Sequence, residues 1–321
     1  MADITNVYTS TYTTGYEDGA VRDIDSMIGL WTPHDTPFLA AMSSSGAKQR
    51  KVEWMADELE DFGENAQIEG FEAEVTESNA PYFDDNITQI FSKNVSITET
   101  AKAVDYYGRT SDLERQRGLR MKEISRDMEY AFLNGVKNVG SKTTPRKMAG
   151  AFSFVDTAGD CYYSFNDTPA DTNHITEDIL LDVMQGVWNN GLTPDTIVLP
   201  MNQQRKISSF TDKGRLTINQ NATERKITMS VRLIQTDMGT VKTMVDRHIE
   251  ETKGSDNKNY QKILVCQMNI FKRRALRPIK RQELAKTGDN QKELIVTEQT
   301  LQCSTNKGVA SIVNLTKEKV A

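Results

Sequence analysis

The side chains that could do chemistry in this sequence are few and far apart. Its three histidines, His34, His174 and His248, share no HxH or HExxH spacing. A zinc site or a catalytic dyad needs such groups brought together at defined spacing. The histidines therefore favour structural or surface positions over ligation or catalysis.

The cysteines and the glycine-rich motifs give the same indication. Three cysteines, an odd number without a CxxC pair, predict neither a disulfide framework nor a metal site, and we expect each to be a small buried apolar residue: Cys161, Cys266 and Cys303. No GxGxxG, GxxxxGK[ST] or GxSxG motif occurs. We therefore predict no catalytic, cofactor-binding or metal-binding residues, and no enzyme.

Carboxylates are the abundant reactive groups, and they are concentrated in one stretch. Residues 53 to 85 contain twelve acidic residues and no Lys or Arg. The stretch could hide a glycosidase-like pair, and Asp84, Asp85 and Asn86 could touch a cation or form a solvated loop. A solvated face or a docking surface fits better because no apolar pocket accompanies the acids. The candidate residues of a docking surface are Glu53, Asp57, Glu58, Glu60, Asp61 and Glu64.

A basic region complements this acidic one. Residues 202 to 281 hold eighteen Lys and Arg against seven Asp and Glu. They end in the run FKRRALRPIKR, whose candidate contact residues are Lys272, Arg273, Arg274, Arg277, Lys280 and Arg281. The run fits contact with phosphates or with the acidic stretch of another copy, and it equally fits an ordinary solvated face.

The elements that must position these charges begin with a projecting hairpin. KVEWMADEL (51–59) fits a strand, and residues 86–104 alternate apolar and polar in a β-branched run. Two strands joined by a long tip predict an extended hairpin. Residues 1–20, rich in Thr and Tyr without a period, predict an arm.

A long helix is the clearest single element. Ser111 followed by Glu114 forms a capping-box pattern, and Gly140 can end the helix, which we place at about 111–138. Its expected packing face has helical spacing and consists of Met121, Ile124, Met128, Ala131 and Phe132.

Residues 150–285 read as an α/β unit. A helix capped by Thr176 and stopped by Gly191 is followed by the strand DTIVLP, the helix MNQQRKISSF and further strands. Residues 293–316 predict two strands around Asn306, Lys307 and Gly308, which we interpret as a C-terminal hairpin.

Length and composition set the class. The 321 residues carry a net charge of -6, with a mean hydropathy of -0.56. The chain begins without a secretory signal pattern and contains no apolar run of membrane-spanning length. We expect a soluble protein made in the cytoplasm.

The order of these parts resembles the major capsid proteins of tailed bacteriophages, which share the HK97-type fold. DTPFLAAM precedes VEWMADEL, TQIFSKNVSITETAKAV, the helix ending RDMEYAFLNG, and RKMAGAF; LIVTEQTLQCSTNKGVASIVNL comes near the end. The similarity covers about residues 20 to 317. It implies an α+β fold with an N-terminal arm (1–50), an E-loop (51–100), a P domain (101–149 and 286–321) and an A domain (150–285).

The resemblance also implies a function. Such proteins assemble as hexamers and pentamers into an icosahedral head around double-stranded DNA. The expected partners are copies of the chain, packaged DNA, and portal, scaffolding and decoration proteins, without a membrane or a cofactor. The expected location is the virion capsid, assembled in the host bacterial cytoplasm. An encapsulin-like shell around a cargo enzyme, or a soluble enzyme with an acidic site, are the alternatives.

Overall fold

The computed structural model describes residues 35–57, 59, 63–72, 81–104, 111–165, 173–210, 233–236, 238–253, 258–286 and 288–317. Most of the predicted arm, residues 1–34, lies outside this part of the chain. The described helices are α1 (Pro37–Ala41), α2 (Glu99–Ala103), α3 (Asp112–Asn134), α4 (Glu177–Asn189) and α5 (Met201–Phe210). The strands are β1 (Ser43–Gly46), β2 (Lys51–Ala56), β3 (Tyr82–Ile87), β4 (Gln89–Thr98), β5 (Tyr162–Ser164), β6 (Thr196–Leu199), β7 (Leu233–Thr236), β8 (Gly239–Val245), β9 (Thr252–Lys253), β10 (Asn259–Cys266), β11 (Phe271–Leu284), β12 (Asn290–Cys303) and β13 (Val309–Thr316).

The first sheet has four strands and carries the long helix. Its order is β1-β11-β12-β4, with β1 parallel to β11 and the other pairs antiparallel. The expected alternation holds in β4, where Phe91, Val95 and Ile97 are buried. Helix α3 packs against β4 and β12. One apolar face of the sheet is therefore covered by one helix.

Helix α3 starts where the sequence predicts. The Ser111 hydroxyl accepts a hydrogen bond from the Glu114 backbone N–H at 3.4 Å, which satisfies one of the unpaired N–H groups of the first turn. Ile124, Met128 and Phe132 are at most 1% exposed and belong to the core of this half of the molecule. Met121, in contrast, is 39% exposed.

The exposure of Met121 corrects the expected packing face. Met121 lies about two turns before Met128 on the same side of the helix. Helix α1 and the 3-10 turn Ala151–Phe154 both contact α3, and the buried residues of α3 begin at Ile124 and continue to Asn134. Among the described residues, the helix is therefore buried only over its second half.

The helix also ends earlier than predicted, at Asn134 instead of near 138. The chain must leave the helix there because Asn138 pairs with Lys147 as a β-bridge and the Gly150 N–H bonds to the Gly135 carbonyl at 2.8 Å. A Cβ at Gly135 would lie 2.5 Å from the Ala131 carbonyl oxygen. Glycine permits this close approach.

The second sheet has seven strands. Its order is β5-β13-β10-β6-β8-β7, with β9 on the edge of β10. Strand β6 is buried at all four positions and runs parallel to β8. Helix α4 packs on this sheet through Leu180, Val183 and Met184. Its cap at Thr176 is confirmed by a 3.3 Å bond from the Ile179 N–H.

The predicted C-terminal hairpin is wrong. Strands β12 and β13 belong to different sheets, and the segment Asn306–Gly308 is a 3-10 turn that carries the chain between them. A two-residue hairpin needs positive φ in its turn, and Gly308 has no positive φ. Gly308 serves close packing instead, because a Cβ there would meet the Ile270 side chain at 3.0 Å.

The expected division of the chain at residue 285 changes with this finding. Strand β11, placed in the α/β unit by sequence, pairs with β12 in the four-stranded sheet, whereas β13 lies in the seven-stranded sheet. The chain passes from the seven-stranded to the four-stranded sheet between β10 and β11, and it returns between β12 and β13. The two crossings lie side by side, since the Ser304 N–H donates to the Ile270 carbonyl at 3.0 Å.

The predicted strand over residues 86–104 is divided by Thr88. The Thr88 N–H bonds to the Arg50 carbonyl at 2.9 Å, and its hydroxyl donates to Glu298 at 2.7 Å. Before Thr88 the chain pairs with β2, and after it with β12. The strand stops at Thr98, whose hydroxyl caps α2.

Candidate functional site

The cysteines and histidines form no reactive centre in the described part of the chain. Cys161, Cys266 and Cys303 are buried free thiols, and burial raises the pKa of Cys303 to about 12. The His248 ring lies 3.0 Å from the Asp246 carboxylate. No group of three His, Cys, Asp or Glu side chains that could hold a metal occurs among the described residues. The functional candidates that follow are surfaces.

The hairpin β2–β3 is the first of these surfaces, and it pairs with no third strand among the described residues. One face is held to the body: Trp54 is buried and packs on Phe154 with ring centroids 6.3 Å apart. On the other face Met55 and Phe83 are directly paired, and they are 65% and 69% exposed. The residues that the structure describes thus leave an apolar pair uncovered.

The Asp84, Asp85 and Asn86 group anchors the base of this hairpin. The Asn86 side-chain amide donates to the Leu301 carbonyl at 2.7 Å and to the Ala149 carbonyl at 3.0 Å. Asp85 accepts a hydrogen bond from Lys137 at 2.8 Å. These contacts give the group a structural role in place of the cation site considered from sequence.

The acidic candidates are only partly described. Glu53, Asp57 and Glu64 are exposed, while Glu58, Glu60 and Asp61 lie outside the described residues. Glu53 forms an ion pair with Lys51 on the same strand. Sequence reasoning singled out these charges and missed the exposed Met55 and Phe83 beside them, although a strand with apolar residues on both faces was the signal.

The basic candidates lie along β11, and the structure divides them. The Arg277 Nε donates to Glu298 at 2.8 Å, and the Arg281 Nε lies 4.0 Å from Glu293. Arg274 donates to the Ser45 hydroxyl at 2.9 Å. Part of the hydrogen-bonding and charge of these three arginines is therefore already used by contacts within the subunit. Lys272 and Lys280 are exposed and face no carboxylate in the described part of the chain.

Two buried carboxylates on β12 were missed by sequence reasoning. The side chains of Glu293 and Glu298 are 2% and 4% exposed. Arg117 from α3 binds Glu293, and Arg146 binds Glu298. The sequence did contain a signal for them, because Glu293 and Glu298 interrupt the apolar pattern of β12, the strand that follows the basic strand β11.

These ion pairs set the protonation of both glutamates. The hydrogen bond from Arg117 lowers the pKa of Glu293. Desolvation acts to raise the pKa of Glu298, but the Thr88 hydroxyl and the charges of Arg146 and Arg277 outweigh it, and the net pKa is lowered. Both carboxylates therefore stay ionised at neutral pH. Through them, strand β12 is joined to α3 by Arg117, to the loop at Arg146, and to β11 by Arg277.

The fold and these surfaces agree with what known proteins show. The model of the SU10 major capsid protein family matches residues 4–316. The chain belongs to the SU10 major capsid protein family.

A single relative agrees with this family assignment. The major capsid protein of Escherichia phage Phieco32 is 33% identical over 120 residues, which is 37% of this chain and 34% of that relative. The chain thus matches about a third of that curated relative's length.

Solved structures confirm the HK97-type α+β fold. A capsid of an empty GTA particle has a TM-score of 0.64 at 9% identity, covering 94% of this chain and 98% of that one. The holo-SrpI encapsulin complex from Synechococcus elongatus PCC 7942 has a TM-score of 0.60 at 10% identity, with 94% and 98% covered. Among the described residues, no helix of this capsid protein has the length and apolar character needed to cross a membrane.

Proposed function

We propose that copies of this chain assemble as hexamers and pentamers into an icosahedral head around double-stranded DNA, within the host bacterial cytoplasm. The family match over residues 4–316 supports the capsid role. The observation that carries self-assembly is the β2–β3 hairpin, whose Met55 and Phe83 are left exposed by the described part of the chain. At about 25 cal/mol per Å², covering such side chains on a neighbour favours association.

In this proposal the parts of the chain take the roles of the fold. Residues 1–50 form the arm and 51–100 the E-loop, and these two parts contribute β1 and β4 to the four-stranded sheet. Helix α3 with β11 and β12 forms the P domain, and the seven-stranded sheet with α4 and α5 forms the A domain. The role is structural and needs no catalysis. Portal, scaffolding and decoration proteins are the further partners.

We assign the acidic stretch of the E-loop to the basic strand β11 of a neighbouring copy. Twelve acids without a basic residue lie between residues 53 and 85, and Lys272 and Lys280 stay exposed on β11. Single surface pairs contribute about 0 to 1 kcal/mol each. The attraction becomes decisive only because a closed shell repeats it at every subunit.

Charge reversal tests this docking. The triple change Glu58→Lys, Glu60→Lys and Asp61→Lys should raise the subunit concentration needed for assembly, most strongly at low salt. Reversing Lys272 and Lys280 to Glu in the same chain should restore assembly, and reversal of the lysines alone is the matched control. Assembly that is unchanged across salt concentrations in the triple variant would contradict the docking.

A shell that encloses a cargo protein is the second candidate, because the encapsulin likeness shows that this fold also occurs there. Nucleic-acid content separates the two. Particles recovered from infected cells should contain nuclease-protected double-stranded DNA, whereas an encapsulin-like shell would contain a protein cargo.

A further inference from the structure

One ionisable side chain of the long helix is fully buried and has no cationic partner among the described residues. Glu129 is 0% exposed. Its Oε1 accepts the Phe38 backbone N–H at 2.7 Å, and its Oε2 accepts the Leu39 N–H at 2.8 Å. These N–H groups belong to the first turn of α1, so Glu129 caps that helix from another element. It therefore attaches the segment 35–42 to α3.

A second buried carboxyl lies against the first. Asp246, which directly follows β8, is 1% exposed. Its Oδ1 accepts the His248 backbone N–H at 2.7 Å. Its Oδ2 is buried and accepts no hydrogen bond from the described residues, and it belongs to the carboxyl that interacts with Glu129. Neither acid pairs with Lys or Arg in the described part of the chain.

Two carboxyls in one buried site cannot both be ionised at low energy. Burial first, and then the Asp246 carboxylate, raise the pKa of Glu129 to about 9, against the two backbone N–H bonds that lower it. At neutral pH Glu129 therefore keeps a proton, which it can donate to the free oxygen of Asp246. This proton satisfies both acids.

The surrounding ionisable groups do not replace that proton. The segment 35–42, helix α3 and the segment 246–250 also carry other ionisable residues: Asp35, Arg126, Tyr130, Arg247, His248 and Glu250. Of these six, only His248 forms a described hydrogen bond to either acid, and it does so at Oδ1 of Asp246. Glu250 instead interacts with Tyr130.

The segment 246–250 has a second attachment that does not titrate. The Asn134 side-chain amide donates to the His248 carbonyl at 2.7 Å, and the Glu250 N–H donates to the Asn134 Oδ1 at 3.0 Å. Loss of the carboxyl contact would therefore leave 246–250 attached through Asn134. The segment 35–42, in contrast, is held to α3 by the two hydrogen bonds to Glu129, which are its polar contacts with that helix among the described residues.

We propose that Glu129 and Asp246 form a proton-operated clasp, in which one shared proton fastens residues 35–42 to the long helix and its loss releases them. The clasp is a property of the subunit and does not depend on what the shell encloses. Residues 35–42 belong to the N-terminal arm (1–50), so the clasp controls how firmly this part of the arm is held on the subunit.

Linkage gives the direction of the pH effect. In the closed form Glu129 holds its proton up to about pH 9, whereas after release it ionises near its ordinary value of about 4.5. Opening therefore releases a proton between these values. The opening constant should rise by up to about tenfold per pH unit from about pH 5 to 9 and then level off.

Pulse-labelling hydrogen exchange measured by mass spectrometry can follow this opening. The full chain, kept as free subunits, is labelled between pH 5.5 and 10, and rates are corrected for intrinsic exchange. Below about pH 9, protection of the peptide over 35–42 should fall by about fivefold to tenfold per pH unit. Protection over β10 should stay constant. A fall of less than twofold per unit over 35–42 overturns the proposal.

Substitutions separate the clasp from general loosening. Glu129→Gln keeps the shape and an N–H donor toward Asp246, so the pH slope should disappear whatever the level of protection. Asp127→Asn, on an exposed position of the same helix, should keep the wild-type slope. A wild-type slope in Glu129→Gln overturns the proposal.

A further variant covers the case in which Glu129→Gln does not fold. Asp246→Asn removes the neighbouring charge that raises the pKa of Glu129, so the sloping range should end at a lower pH than in the wild type. A range with an unchanged upper end would show that Asp246 takes no part, and would overturn the clasp.

Discussion

Replacing Met128 by Ala tests the packing of the long helix on the body of the subunit. Met128 is 1% exposed and lies in the core with Phe38 and Phe132. The change removes three buried side-chain heavy atoms, a loss of about 2.4 kcal/mol at about 0.8 kcal/mol per group. The cavity left behind adds to this, and we expect about 3 to 5 kcal/mol in all.

Thermal unfolding of the free subunit measures this loss. Unfolding entropy of about 2.1 cal/mol/K per residue, taken over 321 residues, converts 3 to 5 kcal/mol into a fall in Tm of about 4 to 7 °C. Met121→Ala is the matched control, since Met121 is the same residue type on the same helix but 39% exposed. It should change the free energy of unfolding by less than about 0.5 kcal/mol.

Two results would refute this account of the helix. The first is a Met128→Ala subunit that melts within 1 °C of the wild type, as roughly expected for a surface change. The second is a Met121→Ala subunit that loses as much stability as Met128→Ala. A loss of assembly by Met121→Ala without a change in Tm would instead place Met121 at a contact between copies.

Three further predictions concern the strands and the ends of the helix. Glu298→Ala leaves its arginines without a buried carboxylate and should cost about 2 to 4 kcal/mol in urea unfolding, less than a fully buried pair because Arg277 is half exposed. Because the pKa of Glu293 is lowered in the fold, its stabilisation is present above the unfolded pKa of about 4.5 and is lost as pH falls below it; Glu293→Gln should flatten the decline of the urea midpoint between about pH 6 and 3. Gly135→Ala places a Cβ 2.5 Å from a backbone oxygen and should destabilise by about 1 to 3 kcal/mol or more, whereas Gly118→Ala, with nothing within 4 Å of its Cβ, should stabilise by about 0.5 to 1 kcal/mol.

Local signals account for the parts of the fold that were predicted from sequence. The caps Ser111 and Thr176 and the alternation of β4 are properties of a few neighbouring residues. Backbone sterics and capping bonds decide such features, so they can be read without knowing the tertiary contacts.

The features that were not predicted depend on distant residues. Gly308 reads as a hairpin glycine but packs against Ile270 where the chain changes sheets. Met121 has helical spacing, yet the buried residues of the helix begin only at Ile124. Which side chains are buried, and which residues they contact, is decided by the folded subunit as a whole and not by a local sequence pattern.

The buried charges show the same limit at the candidate surfaces. Sequence reasoning treated the basic run on β11 as one surface, but Arg277 and Arg281 lie close to carboxylates of the adjacent strand. The Glu129 and Asp246 pair joins residues 117 positions apart in the chain. Only the fold brings these acids together.

Electron microscopy of the purified full-length chain tests the central claim most directly. We predict closed shells built of fivefold and sixfold clusters of subunits, formed from this chain alone or with a scaffolding partner. Particles that remain single subunits or small oligomers under every salt and concentration condition, with and without such a partner, would contradict the assignment as a shell-forming protein.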